Sequence, residues 1–518
     1  MAPSAVTVDV WRVVLSGLPL IVLLLGLLRL GWSGARTGLV ALAVAVGLAL
    51  VAFRLPAPAA GVAVWRGFVV SLDVLYIIWA ALLLDKLADG AGAIRSIGNA
   101  VSRLTGDPIW QLLIIGFAFS SFLQGVAGFG VPVAVTAPLL LGLGFPPMLA
   151  SAVPLVGHSW SVTLGSMASS FQALRAATGL PPFQLGLWVA SLLGVAGVAS
   201  GFAVAHLHGG WAACRRGFGG ILVLGVAMAA TQMLLAATRQ WTVSAFGAGM
   251  VGLGLSMLLA RVSRAGAPVA AASGPPPAMG FALAFLPYYT LIAVVALATF
   301  VGPLQAVLTR TLLTFPFAAS QTGLGWRVAE AAFRIPPFGH PGALLLYTVA
   351  LTALLYGRRG VGLPGWRAVW TATRRQGLPT TYTLVLLSMV AMVMTYSGMT
   401  YLLAQGLATL FGKAFPMASP FIGLVGTIIT GSNTSSNLLL GALQRDSAVL
   451  LGQNAVLIAA LQSAGGALGS MLTPAKVVLA TATTGIGGSE GQVMRVTLRY
   501  ALILTAGMGV IGLIAAMM

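Results

Sequence analysis

Charge is scarce in this sequence. Of 518 residues, 7% are Asp, Glu, Lys or Arg, where a soluble domain carries about a quarter. Acid is scarcer still, with eight Asp and Glu against 27 Lys and Arg, and there are four histidines and one cysteine. The low charge excludes a water-soluble enzyme and a disordered chain. Cys214, alone, permits no internal disulfide and reads as a packing residue, which removes the secreted disulfide scaffold. So few histidines and cysteines give no clustered metal site. Gly157-His-Ser-Trp-Ser161 lacks the closing glycine of a nucleophile elbow. The three GxGxxG matches, at 247–252, 360–365 and 507–512, follow no plausible strand. The reading is therefore not an enzyme, with no cofactor and no metal.

What is present is apolar surface. Hydrophobic residues make up 58% of the chain, and its mean hydropathy is +1.00. Stretches near 10–31, 35–55, 61–87, 183–206, 217–238, 242–260, 279–302, 341–357, 380–403 and 497–518 are each about long enough to cross a bilayer as a helix. Two further regions, 109–172 and 417–492, are apolar but interrupted by Gly, Pro, Ser and Asn. The fold class is an all-α polytopic membrane protein with about 12–14 spans, broken helices included. Residues 10–31 read as a retained first helix rather than a signal peptide. Ser273-Gly-Pro-Pro-Pro277, within Arg261–Gly280, reads as a stiff turn, and the more polar run Thr309–His340 as a short helix packed at the surface.

The formal charge of +19 comes from basic residues scattered singly or in pairs between apolar spans, the pattern of cytoplasmic loops and not of a nucleic-acid surface. Arg358, Arg359, Arg367, Arg374 and Arg375 fall in one loop placed inside. Counting spans backward puts Arg261/Arg264, Arg215/Arg216 and Lys86/Arg95/Arg103 inside as well, Arg239 outside, and both termini outside. The expected location is the cell membrane, in a bacterium the inner membrane, with the lipid bilayer as partner.

The interrupted regions resemble each other. Residues 158–167 read HSWSVTLGSM and residues 462–471 read QSAGGALGSM, which pairs His158-Ser159 with Gln462-Ser463. By the span count the two regions run in opposite directions, an inverted repeat, and transporters place substrate where such repeats meet. The expected organisation is peripheral helices over 1–60, a first repeat over 61–206 with its breaks in 109–172, connecting helices over 207–340, a second repeat over 341–492 with its breaks in 417–492, and a last helix over 493–518.

Phe122–Pro132 (FLQGVAGFGVP) puts three glycines and a proline into eleven residues. Such a segment opens a helix, and the freed N–H groups at Gln124, Gly125, Gly128, Phe129 and Gly130 could face an anion. Close helix packing through small residues is the competing reading. Thr427–Asn437 (TIITGSNTSSN) sets hydroxyl and amide side chains around Gly431 in an apolar region. That exceeds what back-bonding to the helix needs, so Ser432, Asn433, Thr434, Ser435 and Ser436 are candidates to line a pocket.

These segments, with Leu141–Pro147 (LGLGFPP), His340-Pro-Gly342, TGSNTSSNLLLGALQ over 430–444, Gln462–Gly466 and Gly488-Ser-Glu-Gly491 followed by Arg495, resemble the lactate permease family in matching order over roughly 110–500. The resemblance implies symport of lactate, glycolate and related 2-hydroxy acids with protons. It also implies a distant relation to inverted-repeat ion and dicarboxylate transporters, some with a Ser-Asn-Thr sodium motif like Ser432-Asn433-Thr434. H+ or Na+ is then the coupling ion and a homodimer the candidate assembly. The chain departs from that pattern where the family has glutamate (here Gln124), aspartate (here Asn433) and a Ser-Pro-Gln-Ser turn (here Thr473-Pro-Ala-Lys476). Two carboxylates are lost and one ammonium gained, so a more anionic substrate, or transport without a proton, becomes an expectation.

Among the remaining candidates, Asp73 lies inside a span and is a coupling candidate, or else a structural partner of Arg66 two turns away. Asp446 beside Arg445 is a second coupling candidate. Asp85, Asp89 and Asp107 read as solvated charges, and Glu330 as an ion pair between Arg327 and Arg334. Lys476 reads as a counter-charge for a substrate carboxylate or as a snorkelling lysine. The sequence therefore reads as a secondary transporter of small organic anions. A gated anion channel, a uniporter and a carrier of a more highly charged anion are the alternatives.

Overall fold

A computed structural model describes residues 10–262 and 279–518. Arg264 and the stiff turn Ser273–Pro277 lie outside the described residues. Two peripheral helices, α1 (Val10–Leu28) and α2 (Gly34–Val51), and the largely buried α3 (Ala57–Gly90) lead through the short α4 (Ala93–Ser102) into α5 (Pro108–Val126). After α5 the chain becomes irregular. Four residues separate it from α6 (Val131–Gly142), α7 (Pro147–Gly157) follows, and an eleven-residue irregular stretch precedes α8 (Ser169–Thr178).

A long helix, α9 (Pro182–Ala237), bends at Gly209 and Gly210, whose φ values of −147° and +57° leave the helical region. Arg215 and Arg216, expected in a loop, therefore lie in the first turns of its second limb. Next come α10 (Trp241–Val262), α11 (Leu286–Phe300) and α12 (Gly302–Arg310), the last two meeting at 87°.

The run expected to hold a short surface helix after Thr309 is instead two small antiparallel ladders. These are β1 (Leu313–Phe317) with β4 (Ala331–Ile335), and β2 (Ser320–Gln321) with β3 (Arg327–Val328). Alternation decides it: Leu313, Phe315 and Phe317 pair with Ile335, Phe333 and Ala331, which puts the apolar side chains on one face.

Helices α13 (Pro341–Arg358) and α14 (Trp366–Ser397) follow, then α15 (Met399–Phe411) and α16 (Phe415–Thr430). Arg367, Arg374 and Arg375 are thus helical, not in a loop, because α14 starts at Trp366. The succession seen after α5 then recurs. A two-residue break separates α16 from α17 (Asn433–Leu450), α18 (Ala455–Gly469) follows, and a short tight turn precedes α19 (Pro474–Thr483); α20 (Glu490–Met517) ends the chain.

Among the described residues nine helices are long and apolar enough to span a bilayer, or ten if α11 and α12 form one bent span; α6 and Trp11–Leu27 are shorter apolar helices. The protein is a multi-pass helical membrane protein. Its helices approach closely through glycine, as membrane packing favours. A Cβ on Gly465 would meet the Pro420 carbonyl at 1.8 Å, and one on Gly67 of α3 would meet Met389 Cα of α14 at 2.5 Å. The second contact fixes α14 against α3, and α14 also reaches the breaks.

Candidate functional site

Four helices begin at one cavity. The N-terminal residues of α6 (after Gly130), α8 (Ser169, Ser170), α17 (after Ser432; Asn433, Thr434) and α19 (after Thr473; Ala475, Lys476) line a space of about 210 Å³. In none of the four does a side chain cap the first turn. A helix start leaves up to four N–H groups without intrahelical partners and carries about half a positive charge. Lys476 is the one charged side chain among the described residues that line this space, and there is no carboxylate. The field inside is therefore positive.

The backbone around the cavity is held in unusual conformations. Gly128, Phe129 and Gly130 have φ of +51°, +46° and +90°, and Ser166, Met167 and Ala168 have +48°, +54° and +59°. Left-handed backbone costs an ordinary residue about 1–2 kcal/mol, so something must hold these runs. They hold each other: the Ser166 N–H donates to the Gln124 carbonyl at 2.9 Å and the Met167 N–H to the Gly125 carbonyl at 3.4 Å. The last carbonyls of α5 are thereby capped by the second loop.

Side chains join the two halves. Asn433 Nδ2 donates to Thr163 Oγ1 (2.9 Å), whose hydroxyl donates to the Ser463 carbonyl (3.0 Å), and Ser170 Oγ meets Thr434 Oγ1 at 2.8 Å. With its amide nitrogen so engaged, Asn433 leaves Oδ1 buried and unpartnered; Gln124 Oε1 and Ser470 Oγ are in the same condition. Buried acceptors without donors are costly, and a solute in the cavity could satisfy them.

Lys476 is oriented from behind. His158 Nδ1 donates to the Pro154 carbonyl, which leaves Nε2 with a lone pair to accept from Lys476 Nζ at 3.2 Å.

Compared with protein families, residues 12–518 match the L-lactate permease family. The chain belongs to that family. It is 29% identical to the glycolate permease of Escherichia coli (strain K12), over 96% of this chain and 94% of the relative. It is likewise 29% identical to the L-lactate permease of Bacillus subtilis (strain 168), over 91% and 90%. The crystal structure of the Alcanivorax borkumensis YdaH transporter is similar at a TM-score of 0.45 and 17% identity, covering 86% of each chain. As a member of a permease family, the protein is a transporter of small organic anions.

Of the residues singled out in the sequence of this permease-family chain, Gln124, Phe129, Gly130, Ser432, Asn433, Thr434 and Lys476 line the cavity. The others stand behind it. Gly128 presses on Ser166, and Gly125 on the backbone of Phe246. Ser159 bonds its own helix end, and Ser435 is buried. Gln462 donates to Ser436 and accepts from Gln444; Ser463 accepts from Asn437.

Asp73 is paired with His340 (Oδ1–Nε2 3.0 Å) and not with Arg66, which instead donates to the Tyr396 hydroxyl. Asp446 pairs with Arg445 at 2.7 Å, away from the cavity. Asp85, expected in solvent, is 2% exposed beside Lys86. Asp107 caps α5 through the N–H groups of Ile109 and Trp110. Among the described residues the ion pairs are those of Asp73, Asp85 and Asp446, so the expected Glu330 pair with Arg327 or Arg334 is not formed.

Sequence reasoning missed Ser166, Ser169, Ser170, Gln376, Thr380, Ser470 and Thr473, all of which line the cavity. Two of them carried a signal: Ser166 and Ser470 are the serines of the repeated Gly-Ser-Met, at equivalent places in the two halves.

Proposed function

We propose that this chain carries small 2-hydroxy monocarboxylates of the lactate and glycolate type across a bacterial inner membrane by alternating exposure of the 210 Å³ cavity. The observation that carries the reading is the convergence of four uncapped helix starts and Lys476 on a space without carboxylates. The carboxylate would take peptide N–H groups and the Lys476 ammonium. The 2-hydroxyl would donate to Gln124 Oε1, which is in want of a donor. The names of the relatives support the substrate class.

The repeats 61–206 and 341–492 would be the units that move, with both termini outside and the basic segments inside. The cavity has no carboxylate to carry a coupled proton, so a proton would travel on a neighbouring group. The Asp73–His340 pair, with its histidine buried, is our candidate, with Asp446 the weaker one because Arg445 already neutralises it.

Counterflow in proteoliposomes tests the reading. Internal unlabelled lactate or glycolate is expected to accelerate uptake of the labelled acid. Uptake that neither saturates nor exchanges would instead identify a channel. A second reading, a more highly charged anion, is favoured by Lys476 together with the neutral Gln124 and Asn433 at the cavity. Thermal stabilisation by dicarboxylates or multivalent inorganic anions alone would select it.

A further inference from the structure

A second and wider space, of about 830 Å³, opens between the C-terminal end of α3 and the first turns of α14. Its walls carry Lys86, Arg367 and Arg375 against one acid, Asp89. Lys86 is matched by the Asp85 carboxylate at 2.9 Å, so three cations face two anions and the space keeps a net positive charge. One residue lines both this vestibule and the cavity: Gln376. Its Nε2 donates to the carbonyl of Phe129 at 3.1 Å, in the middle of the left-handed run that breaks α5 from α6.

The placement follows from helix geometry. Residues four apart share a face, so Arg367, Thr371 and Arg375 run down the vestibule side of α14, while Ala372, Gln376 and Thr380 lead from the vestibule into the cavity. Pro379 has no N–H to offer the carbonyl of Arg375, so α14 is least firmly bonded at the turn that holds Gln376.

We infer that the vestibule is the anion route into the cavity, and that the Gln376–Phe129 hydrogen bond is its gate. Arg367 and Arg375 gather the carboxylate from solution. The amide of Gln376, while bonded to the first break, separates the two spaces. When that break moves relative to α14 the bond opens and the amide is free to hand the anion to Thr380 and the helix starts beyond. The inference rests on the cavity being the substrate site, and it adds a path and a door that a binding site alone does not require.

Thiol labelling of the full-length protein in proteoliposomes tests it, on a Cys214→Ala background because Cys214 is the sole cysteine. Thr371→Cys reports the vestibule and Thr380→Cys the cavity side of Gln376. With methanethiosulfonate reagents of either sign, Thr371→Cys is expected to react several-fold faster with the anionic one at low salt, and the preference to vanish in Arg367→Gln/Arg375→Gln or in high salt. Thr380→Cys is expected to react about tenfold faster once Gln376→Ala removes the gate, the factor one hydrogen bond of ordinary net strength supplies. Thr371→Cys should not change with that substitution, which also serves as a check on folding.

Equal rates with both reagents overturn the route. A Thr380→Cys rate indifferent to Gln376, or no reaction at all, overturns the gate. Protection of Thr380→Cys by lactate or glycolate is a separate measurement: if gating is seen without protection, the substrate assignment fails while the route stands.

Discussion

Lys476 Nζ and His158 Nε2 lie 3.2 Å apart, the histidine from the stretch before α8 and the lysine from the first turn of α19. The histidine does not face the cavity; it holds the ammonium that does. Lys476→Gln is expected to raise the KM for lactate or glycolate uptake roughly tenfold to a hundredfold, the worth of a charge-assisted hydrogen bond. His158→Ala should give a smaller rise, roughly threefold to tenfold, because the charge remains and only its placement is lost. Equal effects on initial-rate KM would refute that division of labour.

Ser470 separates binding from stability. Its Oγ is buried without a partner, so Ser470→Ala removes an unsatisfied group and should leave thermal stability unchanged or slightly higher. Substrate binding, measured as stabilisation by saturating lactate or glycolate, should nevertheless weaken. A mutant that is less stable and binds normally would show that Ser470 Oγ serves the fold instead.

Gly128 is required twice. Its φ is +51°, and a Cβ there would meet Ser166 Oγ at 2.0 Å. Gly128→Ala is expected to cost about 1–2 kcal/mol from backbone conformation alone, more with the clash, and to abolish uptake. Gly254→Ala, in open space on α10, is the control and should keep both melting temperature and uptake near wild type.

The two acidic candidates should part company. Asp73→Asn is expected to remove acceleration of uptake by an inward proton gradient while leaving counterflow intact, if Asp73 carries the coupled proton. Asp446→Asn breaks a largely buried pair with Arg445 and should lower the melting temperature, with coupling unaffected. Uptake by the unmodified protein that ignores both pH and an uncoupler would remove Asp73 from the mechanism.

Much of this architecture could be read from composition. Gly and Pro in Phe122–Pro132 and the polar cluster of Thr427–Asn437 mark the two breaks, since each interrupts an apolar run with residues a lipid-buried helix does not need. The shared Gly-Ser-Met was legible too, but an alignment says which residues correspond and not which end of the segment meets the solute. Attention to His158 and Gln462 therefore passed over Ser166 and Ser470, eight residues on in each half. Gln376 and Thr380 gave no local signal. They sit on a long unbroken helix, and only its packing against α3 brings them to the breaks. The ladder of Leu313–Phe317 with Ala331–Ile335 did carry an alternating pattern, masked by the prevailing helical composition.

Because the cavity draws on peptide groups at the starts of four helices, those donors are beyond the reach of side-chain replacement. Saturation mutagenesis should therefore trace an inverted map. Many wall positions would accept alanine with modest loss, while proline within the first turns of α8 or α17 would silence the protein. For an engineer, or for natural drift toward a new solute, the adjustable parts are the side chains that hang from the wall, Lys476 and Gln376 foremost.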